Sequence, residues 1–320
     1  VLAGVAWRDY RAFADAPLNL DSVHVVEFAR GTRFKDIVRQ LRREGITRGA
    51  PFQWRVLGAQ MKVASNLHAG EYAFKPGLTP RQLLQMMAAG KVMQHSFTIV
   101  DGWSFRQLRL ALAQEQGLRQ TVQALDDAVL AERLGIEGGH PEGWFLPETY
   151  AWVKGDSDMD LLKRSHTAMQ KALDTLWPQR AADIMLKTPY EALILASIIE
   201  KETGVPSERK QISGVFSRRL KIGMRLQTDP TVIYGIGDDY DGRIRRRHLD
   251  TDTPYNTYTR GGLPPTPIAL AGKPAIEAAL HPDGGNTLYF VARGDGSHEF
   301  SPSLDAHNRA VSKYILRRGQ

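Results

Sequence analysis

Apolar and polar positions change period several times along the chain, and the changes mark out its elements. Residues 23–28 alternate and read as a strand. Gly31 and Thr32 then open a helix whose apolar residues Phe34, Ile37, Val38 and Leu41 fall at i, i+3, i+4 and i+7. A second short helix follows Pro51 through Trp54 and Leu57, and residues 69–74 read as a strand that ends at Pro76-Gly77. The result is a small strand, helix, helix, strand unit. Thr79-Pro80 caps a further helix through Leu83, Leu84 and Met87 that stops near Gly90, the pairing of N-terminal Pro with C-terminal Gly that helix ends favour. The first domain boundary is placed near residue 95.

Beyond it the pattern gives a strand at 97–100, helices around Leu108 and over 161–173, and turn-rich segments between them. Residues 288–292 and 298–300 flank Gly294-Asp295-Gly296 and predict a hairpin, and a last helix carries Val311, Tyr314 and Ile315. The class is α+β, with no internal repeat and no low-complexity tract.

One helix stands out. Thr188-Pro189-Tyr190-Glu191 has the form of a capping box with Pro at the first helical position, and from Ala192 to Ile199 every residue but Ser197 is apolar. Such a helix belongs in the centre of a domain. Glu200 directly follows the run, with Ser197, Ala196 and Leu193 as its helical neighbours, and Gly204 is the expected stop. Desolvation and the negative end of the helix dipole would both raise the pKa of Glu200 and keep it protonated, as cleavage of an acetal requires of its acid. The alternative is that Glu200 is merely the first solvated residue of a polar turn. Glu202, about 200° further round the helix, is expected to face solvent.

Composition narrows the choices. The chain has 320 residues, 42% apolar and 24% charged, which suits two folded domains. Without cysteine there is no disulfide framework, thiol nucleophile or cysteine metal site. Lys and Arg exceed Asp and Glu by 42 − 35 = 7, so anionic surroundings are favoured. Val1-Leu2-Ala3-Gly4-Val5-Ala6-Trp7 is apolar and runs into Arg8 and Asp9. Seven residues fall short of the about 20 that cross a bilayer, but they could be the outer end of a transmembrane helix; a trimmed soluble terminus is the other reading.

Several signals carry little. Ser207 to Lys210 fits S-x-x-K, but neither S-D-N nor K-T-G accompanies it, and Ser207 suits a helix cap. The nine histidines show no H-E-x-x-H or close pair, so no metal is expected, and Gly235-Ile236-Gly237 lacks the rest of a dinucleotide fingerprint, so no cofactor is expected. Arg243, Arg245, Arg246, Arg247 and His248 form a basic run, and Arg39, Arg42 and Arg43 another. A solvated face is the commoner meaning of such runs, nucleic-acid binding the rarer one.

Longer strings are more specific. Residues 196–203 (ASIIEKET), 215–220 (VFSRRL) and 223–235 (GMRLQTDPTVIYG) closely resemble the endolytic murein transglycosylases, the MltG or YceG-like family. The likeness extends to 69–72 (AGEY), 142–150 (EGWFLPETY), 255–258 (YNTY), 262–265 (GLPP) and His307-Asn308, across residues 24 to 315 or so. Departures are small: Glu148 stands where many relatives have Asp, Thr266 follows Pro265 where Gly is commoner, and Ala271 replaces a frequent Pro. They bear on the loops, not on the 196–203 string.

The resemblance implies a single-pass inner-membrane protein whose periplasmic part is a LysM-like βααβ domain followed by a larger α+β catalytic domain. In this division 1–21 would be a membrane-proximal segment and linker, 22–95 the LysM-like domain and 96–320 the catalytic one. It further implies cleavage of the MurNAc–GlcNAc bond within nascent glycan strands, leaving 1,6-anhydro ends, with Glu200 in the position taken for the catalytic glutamate. Peptidoglycan strands and peptidoglycan synthases (penicillin-binding proteins) would be the partners, with no nucleic acid. A non-catalytic wall-binding scaffold remains the alternative. Substrate contacts are sought at Glu142, Ser197, Gln227, Thr228, Asp229, Tyr255, Asn256 and Tyr258. Asp229 before Pro230 also suits a helix cap, and packing accounts equally well for Tyr255 and Tyr258. His298, His307 and Asn308 are assigned to structural hydrogen bonds.

Overall fold

A computed structural model describes residues 2–316. Among them no helix is long and apolar enough to cross a membrane, and Val1, the start of the apolar run, lies outside them. The chain forms two compact units, one of residues up to 96 with 117–119 and 151–156, the other of the remainder.

In the first unit the order is α1 (Leu2–Asp15), β1 (His24–Phe28), α2 (Phe34–Arg43), α3 (Pro51–Gln60), β2 (Gly70–Phe74) and α4 (Pro80–Ala88). β1 and β2 pair antiparallel with Val26 opposite Tyr72. Alternation decides which side is covered: Val26 and Phe28 are buried while Val25 is 48% exposed. Ile37, Val38 and Leu41 of α2, Trp54 and Leu57 of α3, and Leu83, Leu84 and Met87 of α4 complete this core. Residues 2–15 form α1, whose Tyr10 and Ala14 join the same core one helical turn apart.

The remaining elements are β3 (His95–Thr98), α5 (Phe105–Gln114), α6 (Asp127–Leu134), β4 (Thr149–Trp152), α7 (Asp158–Leu176), α8 (Pro189–Glu202), α9 (Arg209–Lys221), α10 (Asp229–Ile236), α11 (Arg246–Asp250), α12 (Lys273–Leu280), β5 (Tyr289–Ala292), β6 (His298–Ser301) and α13 (Leu304–Tyr314). β3 pairs with β4, and β5 with β6. Gly294 and Gly296 take positive φ (85° and 92°) between β5 and β6, where a side chain would be strained.

α8 is the axis of the second unit. Thr188 caps it by accepting the Glu191 N–H, and every residue from Ala192 to Ile199 is buried. α12, α9 and α10 pack around it. Met169 and Leu173 of α7, Ile212 and Phe216 of α9, and Ile276 and Ala279 of α12 surround Leu193, Leu195, Ile198 and Ile199. Each such aliphatic side chain contributes about 1.5–3 kcal/mol by leaving water, so a charge at Ile198 would unseat the helix. Ser207 lies in a short 3-10 turn, Pro206–Glu208, and caps nothing: Glu208 occupies the cap position of α9.

Candidate active site

α8 delivers two carboxylates from its last turn to different surroundings. Glu200 turns inward, its side chain only 6% exposed. Its Oε2 accepts the Gly272 N–H at 3.1 Å, just ahead of α12, and Arg209 stands 3.6 Å from Oε1. Desolvation raises its pKa, nearby Asp101 adds to the rise, and the Gly272 bond and Arg209 oppose it.

Glu202 departs from the expectation of a solvated residue. The segment between α9 and α10 folds over the end of α8, and the Thr228 hydroxyl donates to Glu202. Glu202 is half-buried and lines a cavity of about 360 Å³. Burial pushes its pKa up to about 7, the Thr228 bond opposes this, Asp229 raises it, and His298 and Arg219 lower it. Sequence periodicity places Glu202 on the far side of α8 from Glu200, but it cannot say that a distant segment covers that side.

Gln227, Thr228, Asp229 and Tyr258 come together with Glu202 around this cavity. Gln227 has φ +50°, a left-handed conformation that non-glycine residues seldom hold, fixed by its N–H to the Thr257 carbonyl at 3.2 Å. Thr257 Oγ1 accepts the Thr228 N–H at 3.0 Å and meets Thr231 Oγ1 at 2.9 Å. Asp229 is the first residue of α10, not its cap, and its Oδ1 accepts the Tyr258 hydroxyl at 2.6 Å. Burial and that bond to Asp229 raise the Tyr258 pKa and keep the phenol neutral. Arg219, Tyr289, Phe290 and His307 are also in the wall, with the Arg219 guanidinium 5.2 Å from the Tyr289 ring centroid and His307 stacked on that ring at 5.2 Å.

The other four expected contacts are engaged inside the protein. Ser197 is fully buried, donating to the Ile194 carbonyl at 2.7 Å and accepting the Ile268 N–H at 3.0 Å. Asn256, 1% exposed, donates to the carbonyls of His248, Leu249 and Thr251 and accepts the Tyr258 N–H, so it shapes the loop that presents Tyr258. Tyr255 bonds Thr266 and packs edge-on against Tyr234 at 4.8 Å. Glu142 is 3% exposed and accepts the Phe105 N–H at 2.9 and 3.1 Å and the Tyr234 hydroxyl at 3.2 Å, with burial pushing its pKa up to about 7.

The site therefore offers a proton donor poised near neutral pH, hydroxyl and amide groups beside it, and aromatic faces, all suited to a polyhydroxylated ring substrate. The chain is similar to known proteins in sequence and in fold. A model of the YceG-like family matches residues 26–313. The endolytic murein transglycosylase of Bacillus subtilis is 33% identical, over 84% of this chain and 78% of that protein. The same-named protein of Streptococcus pneumoniae is 25% identical over 98% of this chain, which spans 63% of its length. The crystal structure of a yceG-like protein from Listeria monocytogenes superposes with a TM-score of 0.56 at 28% identity, covering 90% of this chain and 99% of that one. With that family match and a relative 33% identical over most of both chains, this protein belongs to the YceG-like family.

Proposed function

We propose that this chain is an endolytic peptidoglycan transglycosylase that cleaves the MurNAc–GlcNAc bond within glycan strands, with Glu202 as its acid and base. The observation that carries the reading is a single carboxylate with a pKa near 7 opening on a cavity shared with Gln227, Thr228, Asp229 and Tyr258. The names of the relatives from B. subtilis and S. pneumoniae support the substrate class.

Protonated Glu202 gives its proton to the glycosidic oxygen as the bond to C1 breaks. The resulting carboxylate takes the proton of the muramic C6 hydroxyl as that oxygen bonds to C1. The substrate supplies its own nucleophile, so no water is consumed and a 1,6-anhydro end results. Ordinary glycosidases divide these tasks between two carboxylates. Here Asp229 is the other acidic wall residue, and the Tyr258 hydroxyl occupies it.

Glu200 is the second reading, because burial also raises its pKa. Its bonds to Gly272 and Arg209 favour instead a tie between α8 and the start of α12. The test is mass spectrometry of uncrosslinked glycan strands incubated with the parent, Glu202→Gln and Glu200→Gln proteins. Anhydro ends that vanish only with Glu202→Gln support the assignment. Loss only with Glu200→Gln moves the acid there, and reducing ends from the parent mean hydrolysis with Asp229 taking part.

In this reading the chain works in the periplasm, held to the inner membrane by a preceding helix, beside peptidoglycan synthases, and shortens nascent strands. The β1–α2–α3–β2 order of the first unit supports a LysM-like role in holding glycan. Nucleic acid is disfavoured as a partner because the 243–248 run is partly neutralised: Arg245 pairs with Asp241 and Arg246 with Asp250.

A further inference from the structure

The wall of the Glu202 cavity contains a cation that no anion answers. Arg219 of α9 is 6% exposed and lines the cavity. Its Nε donates to the Leu288 carbonyl at 2.7 Å, and its Nη1 to the Leu226 carbonyl at 2.6 Å and the Arg225 carbonyl at 3.4 Å. Nη2 donates to none of the described residues, and none of their carboxylates forms an ion pair with the guanidinium. Arg218, one residue earlier, shows the contrast: Nε and Nη2 are taken by Thr287, and Nη1 pairs with the Asp283 carboxylate at 3.0 Å. A cation that leaves water is ordinarily paired, because its desolvation costs far more than that of a neutral group. The acids that share the cavity have other partners: Glu202 accepts the Thr228 hydroxyl, and Asp229 accepts that of Tyr258.

The rest of this wall is aromatic. Tyr289 lies under the guanidinium, and His307 stacks on the Tyr289 ring. His307 Nδ1 is buried without a partner, and burial together with the Arg219 charge lowers the pKa of the ring and keeps it neutral. Among the described residues that line the cavity, Arg219 is the only Lys or Arg.

We infer that Arg219 is a specificity-determining residue that binds a carboxylate of the glycan strand through Nη2, with Tyr289 and His307 offering flat faces to the group that carries it. The inference rests on this cavity being where the strand lies. The two sugar rings are uncharged, so the strand has two sources of carboxylate. One is the lactyl carboxyl of the muramic residue, free where the peptide stem is absent; the other is the stem itself. A guanidinium suits either, since it stays charged at every working pH and only donates.

The experiment compares three uncrosslinked strand preparations: stem-bearing, stem-free, and stem-free with the lactyl carboxyl converted to its methylamide. Steady-state cleavage of each is followed for the parent, Arg219→Gln and Arg219→Lys proteins, with melting temperature in parallel. The parent has a KM about tenfold or more higher on the methylamide strand than on the strand whose carboxylate it binds, the scale of a hydrogen bond to a charged group. A low KM on the stem-bearing strand alone makes the stem the source, and on the stem-free strand alone the lactyl group. Arg219→Gln loses the preference, the loss falling on KM more than on kcat, and Arg219→Lys, which keeps the charge without the planar fork, retains part of it. An equal KM of the parent on all three strands, or a full preference kept by Arg219→Gln, overturns the inference. If Arg219→Gln does not fold, Arg219→Lys, which can still donate to a carbonyl, decides: an undiminished preference overturns the inference. A Glu202→Gln protein that stays fully active overturns the proposed acid and leaves the KM comparison standing, whereas an inactive one beside an undiminished preference in Arg219→Gln overturns only this inference.

Discussion

The Thr228 hydroxyl donates a hydrogen bond to the Glu202 carboxylate, joining the last residue of α8 to the residue that precedes α10. A bond to the charged form lowers a pKa, so Thr228 restrains the rise that burial imposes on Glu202. In Thr228→Val the restraint is gone and Glu202 stays protonated to higher pH. The alkaline limb of kcat moves upward, while Thr228→Ser, which keeps the hydroxyl, leaves it in place. A pH–rate profile of both proteins checks this.

Glu200 accepts the Gly272 N–H and pairs with Arg209, and if these contacts are its role, its loss costs stability rather than catalysis. Glu200→Gln, which can still accept from Gly272, keeps activity within about tenfold of the parent, the scale of a mild perturbation rather than loss of an acid. Glu200→Ala leaves the Gly272 N–H and Arg209 without their partner and lowers stability by about 1–3 kcal/mol. Denaturant unfolding of both variants, with activity measured alongside, separates this role from a catalytic one.

Glu142 makes stability depend on pH. Burial pushes its folded-state pKa up to about 7 from the ordinary glutamate value of 4.5, so the folded state holds its proton more tightly than the unfolded chain does. The associated stabilisation is complete below about pH 4.5 and is lost as pH rises through about 7. Glu142→Gln, always neutral, flattens that slope, and by pH 8 the difference approaches about 3 kcal/mol as an upper bound. Unfolding free energies between pH 5 and 8, measured by denaturant titration, would fail to flatten if Glu142 were unperturbed.

Gln227 holds a left-handed backbone that glycine adopts without strain. Gln227→Gly therefore keeps or raises the melting temperature while removing an amide from the cavity wall. KM for glycan strands rises severalfold with kcat little changed, the pattern of lost uniform binding. A fall in melting temperature would show instead that the side chain packs.

Much of the architecture could be read from residue spacing. β1, α2, α3 and β2 follow from alternation, from Ile37, Val38 and Leu41 on one face, and from the turn residues that flank them. α8 followed from its cap and its unbroken apolar run. α1 escaped because its buried Tyr10 and Ala14 are set among charged and small residues and gain meaning only from a core contributed elsewhere. The same limit governed the site. Gln227, Thr228, Asp229 and Tyr258 were identifiable as a group, but which glutamate they meet depends on how the 226–229 segment crosses the end of α8. The polar atoms of Ser197 and Asn256 looked equally available in the sequence, whereas their partners, Ile268 and three carbonyls between 248 and 251, come from the folded loops.

α8 is enclosed from Ala192 to Ile199, whereas the segments facing its tip are held by side-chain hydrogen bonds such as those of Asn256 and Thr257. The amide protons in the middle of that helix should exchange with solvent only when the whole unit opens, while those around residues 251–258 exchange through local fluctuation. Glu202 would then stand one turn beyond the slowest-exchanging part of α8, on a rigid base, and accommodating strands of varied conformation would fall to the loop opposite.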